Sequence, residues 1–164
     1  MHMIKATESG VGKGYGDEQE GVIGTSMSED DVRWFIANPR IMFCSDGELH
    51  DAHPRGAGSF PRILGRFVRE QSVLPLETAV YKMTLLSAQQ LGLKDRGRVA
   101  QGYIADLVLF DPATVTDQST IEHPQAPPTG IPDVMVSGVW VVADSKVTGA
   151  HPGHVIRHGA IRGE

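Results

Sequence analysis

IMFCSDGELHDAHPR, residues 41–55, is the stretch on which the reading of fold and chemistry turns. Ile41, Met42, Phe43 and Cys44 form an apolar run that reads as a buried strand, broken by Ser45-Asp46-Gly47. A carboxylate at the mouth of a buried strand is costly unless a proton, a cation or hydrogen-bond donors compensate it. Glu48, His50, Asp51, His53 and Arg55 follow, so titratable groups concentrate just past the strand's C-terminal end. In folds built on parallel strands, ligands bind at that end. Asp46 is therefore the first candidate for a catalytic residue. Its plainer reading, a turn cap next to Gly47, has equal weight on spacing alone.

Upstream, Gly21 to Ser26 reads as a short strand. Ser28 is placed as a helix N-cap, with Glu29, Asp30 and Asp31 in the first turn, where the helix dipole favours carboxylates. Val32, Phe35 and Ile36 share one face, and Asn38-Pro39 stops the helix. Strand, helix, strand in so short a span predicts a βαβ unit with parallel strands and a right-handed crossover. Residues 1–20, with GVGKGYG at their centre, read as a flexible segment. A phosphate loop would need Ser or Thr after Gly-Lys, whereas Gly14 follows Lys13; a dinucleotide loop would need glycine where Tyr15 stands.

Downstream, Ser59 is expected to cap a helix with Pro61 in its first turn. Phe60, Ile63, Leu64, Phe67 and Val68 recur at helical spacing, and burying them would stabilise by roughly 10 kcal/mol before entropy is counted. Pro75 opens a second helix with Leu76, Ala79, Val80 and Met83 on one side, and Thr84 caps a third that Gly92 closes. From Gly97 onward short strands are expected at Ala105 to Phe110, Val134 to Val136 and Val139 to Val142. Ser137-Gly138 is the hairpin turn, Val155 to Arg157 a final strand, and 112–132 a long surface connection.

At 164 residues the chain can form one domain, or two small units sharing a core. A net charge of -5 without a Lys/Arg cluster argues against nucleic acid. The single cysteine, Cys44, rules out an internal disulfide and points to the cytoplasm. No apolar run reaches membrane-spanning length, and MHMIKATESG lacks the apolar core of a signal peptide. No serine lies in a G-x-S-x-G elbow, so nothing supports a serine hydrolase.

Three segments carry a family resemblance: FCSDGELHDAHPRGAGSFPRILGRFVRE, AVYKMTLLSAQQLGLKDRGRVAQGYIADLVLFDPATV and PDVMVSGVWVV. From about Val22 to His158 the chain resembles the C-terminal part of the D-aminoacylase (N-acyl-D-amino-acid deacylase) family, within the amidohydrolase superfamily. GRVAQGYIADLVLFD is common to many amidohydrolases; SDGELHDAHPRG with SFPRILG narrows the likeness to deacylases. The resemblance implies an α/β fold, the C-terminal fragment of a (β/α)8 barrel followed by half of a small β-sandwich. Residues 22–26 would be the seventh barrel strand, 29–38 its helix and 41–46 the eighth strand. The division is then 1–20 flexible, 21–96 the last barrel unit with its helices, and 97–164 the sandwich part.

For chemistry, the resemblance implies that Asp46 takes a proton from the attacking water and passes it to the departing amine, and makes it a candidate second-site metal ligand. Arg55, after His53-Pro54, would hold the substrate's α-carboxylate, a task suited to a planar guanidinium. His50 and His53 do not match family ligand positions and read as loop residues, His151, His154 and His158 read as loop and strand-end residues, and Cys44 reads as a packed thiol. The family's HxH motif and remaining ligands have no counterpart here, and a complete barrel takes about 250 residues. Zinc is thus implied for the complete enzyme, with none held tightly by this chain alone. The expected partners are a small N-acyl-D-amino acid and either the missing N-terminal barrel portion or a second copy. Two alternatives stay open: a non-catalytic remnant or partner-binding module, and the tail of a hydantoinase- or dihydroorotase-like enzyme.

Overall fold

The computed structural model describes residues 4–5, 22–23, 26–47 and 53–156. Strands β1 (Ile4–Lys5) and β2 (Val22–Ile23) pair antiparallel, with Ile4 opposite Ile23. Apart from Ile4–Lys5, the segment expected to be flexible over 1–20 lies outside the described residues, as do Glu48, His50, Asp51, Arg157 and His158.

Helix α1 (Glu29–Ala37) starts where its cap residues dictate. The Asp31 amide donates to the Ser28 hydroxyl oxygen at 3.1 Å, and the Ser28 amide donates back to the Asp31 carboxylate at 3.2 Å, a reciprocal capping box. Asn38 ends it in an extended conformation ahead of Pro39. Ile36 is buried and Val32 packs beside it, while Phe35 stays largely exposed.

The run 41–44 departs from expectation. Ile41 and Phe43 are half-buried, Met42 and Cys44 are exposed, and no strand pairs with the run among the described residues. The alternation is that of a strand with one face covered. The Phe43 amide, however, donates to the Lys82 carbonyl at 3.2 Å, at a helix end rather than a sheet edge. A parallel βαβ unit is therefore absent from the described residues, and the Cys44 thiol is exposed, not packed.

The next helix begins earlier than the sequence indicated. Helix α2 (Arg55–Arg62) has Pro54 at its N-cap, so Ser59 lies inside it and does not cap it. It continues without a break as a π-helix, π1 (Ile63–Glu70), which closes with the Gln71 amide donating five residues back to the Arg66 carbonyl at 2.9 Å. Pro61, inside α2, has no N–H to give the preceding turn, and the wider helix follows directly after it. The apolar stripe survives this change: Ile63, Leu64 and Phe67 are buried, with Val68 packed alongside.

Helix α3 (Leu76–Met83) follows Pro75 as anticipated, and α4 (Leu85–Gln90) follows Thr84. The Thr84 hydroxyl donates back to the Val80 carbonyl at 2.7 Å instead of capping α4. At the far end the amides of Gly92 and Leu93 donate to the carbonyls of Gln89 and Ala88, so main chain alone closes this helix.

Strands β3 (Leu107–Leu109), β4 (Asp133–Val136), β5 (Val139–Ala143) and β6 (Lys146–Val147) form an antiparallel meander. Ser137 and Gly138, at φ 50° and 81°, make the foreseen tight turn, and the Asp106 carboxylate accepts the Ser137 amide at 2.8 Å. The turn at Asp144-Ser145 and strand β6 were not anticipated, while Val155 and Ile156 form no strand.

The stretch 112–132 is more than a surface connection. Val115 is fully buried in one core with Ile36, Ile63, Leu64, Phe67, Leu74 and Ala79, and Thr116 bridges to Thr129. The same stretch brings Asp117 and Ser119 against Gly58 of α2. A Cβ on Gly58 would lie 2.5 Å from the Asp117 carboxylate and closer still to the Ser119 hydroxyl. Gly58→Ala is expected to cost about 1–3 kcal/mol in urea unfolding, with the slope unchanged. A loss below a few tenths of a kcal/mol would show that the two segments separate freely.

Candidate active site

The structure brings together the two site residues indicated by the sequence. The Asp46 carboxylate and the Arg55 guanidinium form an ion pair at 2.8 Å, across the loop that joins the 41–44 run to α2. Asp46 stands at φ 51°, in the left-handed region that Asp tolerates better than most residues, and turns the chain there. Its side chain is 73% exposed, so the burial cost expected at a strand mouth does not arise. What keeps the carboxylate in place is its cationic partner. The Arg55 amide donates to the His53 ring nitrogen Nδ1 at 3.0 Å, which fixes the first residue of α2 against the loop before it.

Beside this pair lies an open cleft of about 300 Å³ that includes Arg55, Arg62, Ser59, Ser119 and Thr120 in its lining. Arg62 and Ser119, in its lining, belong to a network around Asp117 that the sequence reading missed. The Arg62 guanidinium contacts one Asp117 oxygen through Nε and Nη2, at 2.8 and 2.6 Å. The other oxygen accepts the Ser119 amide at 2.8 Å and the Ser119 hydroxyl at 2.6 Å. Burial pushes the Asp117 carboxyl up, but the Ser119 hydroxyl and amide and the Arg62 charge outweigh it, and the net position is below the ordinary 3.8. The signal available in sequence was local: Asp-Gln-Ser at 117–119 is an Asx-turn pattern in which the carboxylate accepts the amide two residues on.

The arginines of the α2–π1 helix have matching roles. Arg66 reaches Glu29 of α1 at 2.8 Å, and Arg69 donates to the Val115 carbonyl at 2.6 Å and the Thr116 hydroxyl at 3.0 Å. The helix that begins at the site is thereby fixed to α1 on one flank and to 115–117 on the other.

A metal does not fit the described residues. Among them no three His, Cys, Asp or Glu side chains are grouped to hold an ion, and the nearest cation to Asp46 is Arg55 itself. His53, His151 and His154 contribute to no such group.

A family model described as the amidohydrolase family matches residues 14–142. The chain belongs to the amidohydrolase family. It is 47% identical over 142 residues to the D-aminoacylase of Alcaligenes xylosoxydans xylosoxydans, covering 85% of this chain and 29% of that protein. A solved D-aminoacylase, described by its binuclear metal centre with one-metal activation and second-metal attenuation, superposes with a TM-score of 0.72 at 50% identity, over 76% of this chain and 27% of that one. The N-acyl-D-glutamate deacylase of Bordetella bronchiseptica, solved with zinc and a phosphonate mimic of the tetrahedral intermediate, superposes with a TM-score of 0.67 at 45% identity, over 70% and 25%. The D-aminoacylase likeness read from SDGELHDAHPRG is borne out, and the chain spans under a third of the length of the relatives it matches. Among the described residues no helix is long and apolar enough to cross a membrane.

Because Asp117 is held below its ordinary value, its contribution to stability is complete above pH 3.8 and is lost as pH falls through the lower folded-state value. Asp117→Asn is expected to remove that part of the acid dependence and to cost about 1–3 kcal/mol near neutral pH. Urea titrations of both proteins from pH 7 to 3 check this; parallel curves would dismiss the network as a source of acid sensitivity.

Proposed function

We propose that this chain supplies the proton-transfer carboxylate and the carboxylate receptor of an N-acyl-D-amino-acid deacylase. The observation that carries the proposal is the 2.8 Å separation of Asp46 and Arg55. In an N-acyl amino acid, the scissile nitrogen and the α-carboxylate carbon are both bonded to Cα and so lie only about 2.5 Å apart. A group that protonates the departing nitrogen and a group that grips the carboxylate must therefore be neighbours, as these two are. The guanidinium presents its donors in a planar fork that matches the two oxygens of a carboxylate.

In the reaction, Asp46 accepts a proton from the attacking water as the carbonyl carbon–oxygen bond forms. It returns that proton to nitrogen as the amide C–N bond breaks, leaving a carboxylate and a free D-amino acid. Identity of 47% with a D-aminoacylase across 85% of this chain supports that substrate class. The same reading makes the chain a fragment of a zinc-dependent (β/α)8 barrel with part of a β-sandwich, divided at 1–20, 21–96 and 97–164. It has a cytoplasmic setting, in keeping with the free thiol of Cys44. Its remaining partner is the rest of the barrel or a second copy. Trp34, Phe35 and Met42 support that partnering, since Trp34 is 62% exposed and all three leave apolar surface uncovered.

In the assembled enzyme, Asp46→Asn should lower kcat by roughly 100- to 10,000-fold with metal content retained. Unchanged turnover would remove Asp46 from the chemistry. Arg55→Ala should raise KM for N-acyl-D-amino acids far more than for the corresponding amides; equal effects on both would end the carboxylate-receptor role. Incubated alone with zinc, the chain is expected to release no D-amino acid and to elute from a sizing column as a self-associated species.

A further inference from the structure

Lys82 is the largest of the fully buried side chains, and no step above uses it. Its ammonium donates to the Ile36 carbonyl and, at 2.7 Å, to the Asn38 carbonyl, both at the C-terminal end of α1. The same ammonium lies 4.3 Å from the centre of the Phe43 ring. The Lys82 carbonyl accepts the Phe43 amide at 3.2 Å and the Ser87 hydroxyl at 3.1 Å. One residue thus holds both the main chain and the ring of Phe43. Among the described residues, Phe43 is the last before Asp46 to pack against the core, since Cys44 is exposed and Ser45 is outside the core cluster.

From this placement we infer that Lys82 is the positioning residue for Asp46, acting through Phe43. The inference rests on the proton-transfer role given to Asp46 above. Closing a helix does not by itself require a buried charge, because α4 is closed by main chain alone. An ammonium taken out of water is costly unless its hydrogen bonds are made. What Lys82 adds beyond a helix stop is a fixed point shared by the end of α1, α3 and the run leading to Asp46. A carboxylate that is mostly exposed and sits at a turn has few constraints of its own, so the constraint must come from the chain before it. Arg55 fixes its direction from the other side.

The test is Lys82→Met in the assembled enzyme, which keeps the side chain's length and removes its donors. Hydrogen exchange of the peptide covering 41–46 is expected to rise about tenfold, with the peptide covering 110–116 unchanged. In parallel, kcat should fall by about 10- to 100-fold with KM within about twofold, as expected for a misplaced reacting group. In an Asp46→Asn background the same substitution should cost no further activity. Unchanged exchange at 41–46, a rise shared equally by 110–116, or an equal loss of activity with and without Asp46 would each overturn the inference. If Lys82→Met does not fold, Phe43→Leu decides, since it removes the ring and leaves the lysine's bonds to α1. A fall in kcat with KM unchanged supports the inference, and wild-type kcat overturns it. The two readings fail separately: full turnover by Asp46→Asn ends the proton-transfer role, whereas a retained role with unmoved exchange at 41–46 ends only the role of Lys82.

Discussion

The buried ammonium of Lys82 is the constraint on which the arrangement around the site depends. Helix α1 ends with the Ile36 and Asn38 carbonyls directed at the Lys82 ammonium, the Asn38 oxygen also accepting the Ile41 amide at 3.3 Å. A cation placed there meets the negative end of the helix dipole and donates to two of its last carbonyls together. Burial draws the ammonium below its ordinary value, so the site tolerates the charge at a cost. The reason it stays is the set of elements it connects: α1 and the Phe43 strand-like run, which follow one another in sequence, and α3, which lies much later in the chain.

A second set of ties runs along the α2–π1 helix. Its apolar face builds the core, while Arg62 and Arg69 reach 115–117 and Arg66 reaches α1. Asp117, whose carboxylate is filled by Arg62 and Ser119, fixes the later part of the chain over the start of that helix. The outcome is that Arg55, at the first turn, is held by a helix anchored along its length. Asp46 meets it from a run anchored at Phe43. Two exposed side chains, one at a turn and one at a helix start, are thereby placed 2.8 Å apart by interactions elsewhere.

Much of this was legible in sequence wherever the determinant is local. The Ser28 cap, the Asn38-Pro39 stop, the Pro75 start, the Gly92 close and the Ser137-Gly138 turn depend on a few neighbouring residues, and each is found where the pattern placed it. The failures are places where a distant partner decides. Ile41 to Cys44 has strand composition, but a strand needs a neighbour, and Phe43 meets a helix end instead. Ser59 looks like a cap, yet the helix already begins at Arg55, and the distant Asp117 and Ser119 lie against its Gly58. Val115 sits in a Pro/Thr-rich stretch with no periodicity to mark it as core. Asp46 was singled out by its place after an apolar run, and its role and Arg55 came through family likeness; that they touch belongs to the fold.

The position of Val115 also bears on how the chain acquires its structure during synthesis. The helices leave the ribosome before Val115 does, but the core they share is closed by Val115, with Phe110 and Ile131 packed against it. Until those residues emerge, Ile36, Leu64 and Phe67 have only part of their covering. The β3–β6 meander pairs mostly near neighbours and can form as it appears, whereas the helical core waits on a long-range closure. That ordering leaves the nascent helical half exposed for the time it takes to make the middle of the chain, the interval in which a chaperone or a partner segment has access to its apolar face.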